Sequence, residues 1–384
     1  MDRRHEIPLL FIDGTRVHKS PYWEATERAG CQSYDIYNHM LIPGWYTDPI
    51  DEYWHLVNHV TLWDVGVERC LEVTGPDAHR FTNMLTPRDL DKCAVGQGKY
   101  VVLVDERGGI LNDPVLLRLG ENHYWLAQAD SDATLWAKGV AAFAGMDVEV
   151  READAWPLQV QGPKAKDVLR ALVGDEILDV RYYWTLQTEI DGIPVVISRT
   201  GWSGEVGFEV YLRDASRGVD LWERIMAVGE PFDIRPTGPS DRRRMEAGIF
   251  NYGGDMTLEN NPFEVTGLER LVEEQQADYI GKQALERISR EGVSRKLVGI
   301  EIEGDPISID CEEFWPVHTD GQQVGNVTNA VHSPRLERNI GYAWVPIELA
   351  GHGTKIDVEA PFGTAPAQVV PLPFYDPKKD VPKT

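Results

Sequence analysis

The chain has 384 residues, 42% hydrophobic and 26% charged, which suits two or three soluble globular domains rather than one core. Its 38 Lys plus Arg against 62 Asp plus Glu give a formal charge of −24, a field that repels polyanions and argues against nucleic acid or an anionic membrane as partner. No apolar run reaches bilayer length, the start Met1-Asp-Arg-Arg-His-Glu-Ile-Pro8 has no signal-peptide core, and the cysteines (Cys31, Cys70, Cys93, Cys311) form no Cys-x-x-Cys pair; a cytoplasmic protein with free thiols is expected.

Residues 1–30 are polar and irregular, with a first helix expected around Pro21–Ala29. Tyr34–Trp45 is aromatic-rich and ends on Pro43-Gly44, a turn signal. Asp48–Leu62 has helical spacing and carries His55 and His59 one turn apart. No third ligand of suitable spacing follows, so the pair is expected to hold no metal. Trp63–Gly66 and Cys70–Thr74 read as short strands, and Asp77–Leu85 as a helix opened by Gly75-Pro76. Gly96–Asp105 and Ile110–Leu117 read as a hairpin, but Asn112-Asp113-Pro114 interrupts the second strand with residues that strands disfavour. Such a break marks either a bulge or a functional site. Tyr124–Gln128 is a further strand and Asp130–Phe143 an amphipathic helix. Leu158-Gln-Val-Gln-Gly-Pro-Lys164 echoes Leu71-Glu-Val-Thr-Gly-Pro-Asp77, so two halves of related strand–turn–helix plan are expected.

Between a strand at Ile193–Arg199 and another at Phe208–Tyr211 lies a turn with Gly201, Gly204 and Gly207. These glycines open no helix, which excludes a dinucleotide or P-loop fingerprint. Strand alternation puts Glu209 and Tyr211 on one face beside Trp202, a set that suits a flat heterocycle with an amino edge, or an ordinary hairpin with a charged face. Leu221–Val228 and Arg242–Gly248 read as helices, and Ile280–Leu285 as a turn into another. After about Gly292 short strands predominate: Leu297–Ile302, Gln323–Asn329, Gly341–Val345, Lys355–Ala360 and Ala367–Val370.

Thr200-Gly-Trp-Ser-Gly-Glu-Val-Gly-Phe-Glu209, Arg244-Met-Glu-Ala-Gly-Ile-Phe-Asn-Tyr-Gly-Gly-Asp255, Tyr279-Ile-Gly-Lys-Gln-Ala-Leu285 and Ser333-Pro-Arg-Leu-Glu-Arg-Asn-Ile-Gly-Tyr342 resemble the ordered motifs of the glycine-cleavage T-protein (aminomethyltransferase) superfamily. Tyr37-Asn-His-Met-Leu-Ile-Pro43, Met84-Leu-Thr-Pro-Arg-Asp89, Leu111-Asn-Asp-Pro-Val-Leu116, Ala129-Asp-Ser-Asp132, Trp136-Ala-Lys-Gly139 and Glu259-Asn-Asn-Pro-Phe-Glu264 look most like its tetrahydrofolate-dependent dimethylsulfoniopropionate demethylases, as does Trp202. The chain departs from them in Gly204-Glu205, where they carry Lys-Gln, and in Val265-Thr266, where they carry Cys-Gly.

The resemblance implies an α+β fold of three domains in a cloverleaf ring around a folate. These would be residues 1–50 with 153–285, which bind folate; 51–152; and a small C-terminal β-barrel or jelly-roll domain over 292–375; the Pro- and Lys-rich composition of 376–384 points to a disordered tail. It implies Asp113 as the catalytic group beside the folate N5, Glu209 on the pterin amino edge, Tyr211, Tyr100 and Trp202 lining folate or substrate, and Arg244 near the folate channel. Trp202 or Tyr100 would also hold a cationic donor by cation–π attraction. The implied activity is transfer of a methyl group from a small sulfonium or betaine donor to tetrahydrofolate, with a homodimer left open. The rivals are an aminomethyltransferase served by a lipoyl carrier protein and a non-catalytic folate-binding regulator.

Overall fold

The computed structural model describes residues 14–309 and 311–384. A six-stranded sheet runs in the spatial order Thr185–Ile190, Ile193–Ser198, Gly207–Leu212, Trp156–Gln161, Val60–Asp64 and Ile234–Pro236, antiparallel except for its last pair. Period-two alternation gives it two distinct faces. Val60, Leu62, Leu158, Val160, Phe208 and Val210 belong to one core with helices Ala165–Val173 and Gly218–Gly229. Trp63, Gln159, Gln161, Glu209 and Tyr211 occupy the alternate positions and face the other way, yet all five are buried.

The second domain is a five-stranded antiparallel sheet in the order Glu149–Glu152, Cys70–Thr74, His123–Ala127, Val115–Gly120 and Gly98–Tyr100, with helices Ala78–Met84 and Ala133–Ala144. The third is a closed barrel of Arg295–Ile302, Arg338–Pro346, Gln322–Ser333, Trp315–Thr319, Lys355–Ala360 and Gly363–Val370. Its Trp315–Thr319 strand was not expected from the sequence, since Pro316 and His318 break the apolar pattern. Apolar residues of all three units meet in one cluster that includes Val102, Ile110, Met245, Phe250, Leu297 and Tyr342.

Several expected boundaries move. The helix expected over Asp48–Leu62 is Pro49–Asn58, because the β-branched Val60-Thr61 joins a strand that pairs with Trp156–Gln161. The six-stranded sheet therefore takes residues up to Asp64, and the division expected at residues 50/51 falls inside this domain. The turn expected at Pro43-Gly44 lies instead at Asn38-His39, where both residues have positive φ, and Pro43 and Gly44 are inside a strand. Residues 376–384 are not a loose tail. Pro382 is buried, and Arg199 and Lys166 donate to the Thr384 carbonyl.

The sequence echo is a structural one. Gly75 and Gly162 both have positive φ (+114° and +124°), and each ends a strand against a neighbouring backbone. A Cβ on Gly75 would stand 2.6 Å from the Asp147 carbonyl oxygen, and one on Gly162 2.5 Å from that of His59. Gly162→Ala is expected to destabilise the protein by about 2–4 kcal/mol, combining left-handed strain with overpacking. Gly139→Ala, in a helix with open space around it, is expected to be neutral or stabilising by up to about 1 kcal/mol. Urea unfolding of the two variants checks the contrast.

Candidate active site

The two strands of the expected central hairpin both break at the same level. Gly98–Tyr100 belongs to the five-stranded sheet and Leu103–Val104 to a separate ribbon. Their partners divide in the same way, into Val115–Gly120 and Ile110–Asn112. Asp113-Pro114 is the crossing point, which explains why two residues poor in strands sit in an apolar run. Asn112 secures the crossing by donating to the Ala129 carbonyl (3.0 Å) and Ser131 Oγ (2.7 Å) and accepting from the Ala129 amide (3.1 Å).

The crossing opens onto a cavity of about 860 Å³, within the size range of small-molecule and cofactor sites. Of the six residues implied by sequence, Asp113, Tyr100, Trp202 and Glu209 line it. Tyr211 and Arg244 do not; they stand behind the wall. Tyr211 packs in the interface between the first two sheets and donates to Glu209 Oε2 at 2.7 Å. Arg244 is fully buried, paired with Asp255 and Asp241 at 2.6 Å each, with its Cζ 5.3 Å from the centre of the Trp202 ring. Its neighbour Arg242 faces the cavity instead. The Trp202 ring therefore already has a cation against it. That weakens its expected role of holding a donor's positive charge.

Sheet register positions Glu209. Gln159 lies opposite it on one neighbouring strand and Ser198 on the other. Gln159 Nε2 donates to Glu209 Oε1 at 2.9 Å, and Thr200 Oγ1 donates to Oε2 at 2.6 Å. Burial raises the Glu209 pKa, and these donors with Tyr211 oppose the rise. The turn glycines make room for a buried side chain. A Cβ on Gly201 or Gly207 would overlap the Gln161 amide, around which the turn closes. Ser203 Oγ donates to Gln161 Oε1 at 2.6 Å. Glu205 accepts from Arg243 Nε at 2.7 Å and Arg335 at 3.2 Å.

Tyr100 donates its hydroxyl to Asp113 Oδ2 at 2.8 Å. Burial pushes the Asp113 carboxyl up to about 7 despite that hydrogen bond. Glu68, Tyr37, Tyr182, Tyr183 and Arg270 also line the cavity and were not singled out in the sequence. Glu68 lies in the irregular link between strands of two different sheets, where no periodicity marks it.

Away from the cavity, the rings of His55 and His59 stack at 4.8 Å. The fold supplies the third group that sequence spacing lacked: ligand atoms of both histidines and Asp233 lie within 4.8 Å of one another. His55 Nε2 donates to the Asp233 carbonyl at 2.7 Å, and the Lys164 ammonium donates to His59 Nδ1 at 3.1 Å, where a metal would compete with it.

Residues 22–276 match the GCVT N-terminal domain, and 295–376 match the glycine cleavage T-protein C-terminal barrel domain. The chain belongs to the glycine-cleavage T-protein family. Among its relatives in this family is the dimethylsulfoniopropionate demethylase DmdA of Ruegeria pomeroyi, 39% identical over 92% of this chain and 96% of that protein. The probable aminomethyltransferase of Pyrococcus abyssi is 34% identical, over 88% and 92%. The solved glycine cleavage system aminomethyltransferase T of Bartonella henselae superposes with a TM-score of 0.84 at 26% identity, covering 94% of this chain and 99% of that one. The three-domain T-protein architecture expected from the motifs is thus present.

The raised Asp113 pKa has a stability consequence of definite sign. The folded state holds this proton more tightly than the unfolded chain, whose Asp pKa is about 4. The stabilisation is complete below pH 4 and lost as pH rises through about 7. Asp113→Asn, which cannot ionise, is expected to melt above wild type at pH 8, with the gap shrinking toward pH 5. Thermal denaturation at the two pH values checks it; an Asn variant less stable at pH 8 would mean a well-paired carboxylate.

Proposed function

We propose that the protein moves a methyl group from a small cationic donor, dimethylsulfoniopropionate being the first choice, to tetrahydrofolate. The observation that carries the folate half is Glu209, a buried carboxylate in the cavity wall. Gln159, Thr200 and Tyr211 occupy three of its lone-pair positions, which leaves an acceptor position on Oε1 for an aminopyrimidine edge. Tyr100, Tyr182, Tyr183 and Trp202 supply aromatic wall for a planar ring, so the residues present fit the group. The 39% relative carries the donor half.

When bound, tetrahydrofolate supplies a nucleophilic N5 that accepts the methyl group. The donor's S–CH3 bond breaks with its electron pair left on sulfur, so a neutral thioether departs and no general acid is needed. Asp113 is then free for the other end of the reaction. With a pKa of about 7, it is poised to receive a proton from the acceptor nitrogen near neutral pH, while Tyr100 keeps Oδ2 in place. The cavity walls hold the reactants together, and positioning of this kind supplies several kcal/mol of barrier lowering.

Aminomethyl transfer is the second reading, favoured by the relatives of that name. At the Gly204-Glu205 turn, where the chain departs from the demethylases, Glu205 has a structural task as partner of Arg243 and Arg335.

Incubation with tetrahydrofolate and dimethylsulfoniopropionate is expected to give 5-methyltetrahydrofolate. Asp113→Asn is expected to lower kcat far more than it weakens folate binding. Glu209→Ala is expected to weaken tetrahydrofolate binding by about 1–3 kcal/mol in calorimetry. No methyl product, with turnover of an aminomethyl-lipoyl carrier, would transfer the protein to the second reading.

A further inference from the structure

Glu68, Asp113 and Glu209 line one cavity. Two of the three are provided for: Asp113 by Tyr100, and Glu209 by Gln159, Thr200 and Tyr211. Among the described residues the Glu68 carboxyl has no hydrogen bond or ion pair. It is closely surrounded by protein, keeps some surface toward the cavity, and feels the charges of both other carboxylates. Tyr37, also in the cavity wall, is in turn affected by Glu68, Asp113 and Asp130. A carboxylate enclosed beside two others and left without a donor is costly. Burial and the nearby Glu209 and Asp113 push the Glu68 pKa well up, toward the protonated form, and a cation brought from outside draws the group back to the charged one.

We propose that Glu68 is the residue that selects a positively charged donor, holding the onium centre in the cavity by charge rather than by an aromatic face. The inference rests on the methyl-transfer reading and adds the determinant of donor class. Arg244 already stands against Trp202, so that ring is poorly placed for the task, whereas Glu68 has no competing cation among its partners. Tetrahydrofolate has no permanent cationic centre, so Glu68 discriminates the donor and leaves the acceptor to Glu209. The positive charge departs from sulfur as the methyl group moves. An interaction with the reactant's charge therefore acts on donor binding more than on the chemical step.

The test compares dimethylsulfoniopropionate with 4-methylpentanoate, which puts an uncharged CH in place of the sulfonium. Calorimetric titrations are run with folic acid present, whose oxidised ring accepts no methyl group. Wild type is expected to prefer the sulfonium by about tenfold or more, the range of a hydrogen-bonded or paired charge. Glu68→Gln is expected to lose that preference and Glu68→Asp to keep part of it. In turnover, KM for the sulfonium should rise much more in Glu68→Gln than kcat falls, with tetrahydrofolate affinity unchanged. A wild type that treats the pair alike, or a Glu68→Gln that keeps the full preference, overturns the proposal. Failure of the methyl-transfer reading has a separate signature: no 5-methyltetrahydrofolate from wild type, whatever the binding preference. A melting scan of each variant establishes that it is folded, and replacing an unpartnered buried carboxyl by an amide of the same size should not lower stability.

Discussion

The arrangement depends on a short helix, Asp241–Glu246, that carries charge into the interior. Arg243, Arg244 and Glu246 are essentially inaccessible to solvent. Each is tied to a different part of the chain: Arg243 to Glu205 in the glycine turn, Arg244 to Asp255, and Glu246 to Tyr53 at 2.6 Å and Ser333 at 2.5 Å. Asp255 in turn accepts from Thr328 of the barrel at 2.8 Å. Charges this deep are costly unless paired, and removing one partner typically costs 3–5 kcal/mol. The first domain and the barrel are therefore tied together, and the cavity lies between that first domain and the second.

Around that hub the six-stranded sheet does two jobs. One face is an ordinary apolar core under helices. The other is polar and still buried, because the second domain closes over it through Cys70, Leu117, Trp125 and Tyr211. A polar sheet face that would otherwise meet water is thereby kept in a confined volume. There a carboxylate's pKa moves and its hydrogen bonds strengthen. The perturbed acid Asp113 lies where strands exchange sheets, the one place along that hairpin where the backbone is not committed to a ladder.

Much of this was legible in the residues. Alternation at Phe208–Tyr211 gave the shared face of Glu209 and Tyr211, and the disfavoured Asp113-Pro114 marked the break between strands. The repeated Gly-Pro units located two equivalent strand ends. What escaped has identifiable causes. The distinction between lining and backing residues, which separates Asp113 and Glu209 from Tyr211 and Arg244, depends on packing between domains. Glu68 belongs to a link without periodicity. The Asp233 partner of His55 and His59 is far along the chain, so local spacing could not reveal it. The helix over Asp48–Leu62 was overextended because its last residues satisfy helical spacing while their β-branched side chains are claimed by the sheet.

The two halves of the cavity are anchored in unlike ways. Glu209 and its partner Gln159 are locked by strand register, where a one-residue shift would turn them into the opposite core. Glu68 sits in the link between two sheets and Trp202 in a turn, positions whose backbone carries no ladder. A lineage, or a laboratory library, could therefore redraw the Glu68 side of the cavity by altering residues 65–69 while the register-locked wall around Glu209 is inherited unchanged. On this scaffold one side of the cavity changes with a short link between sheets, while the other changes only if a ladder of strands changes with it.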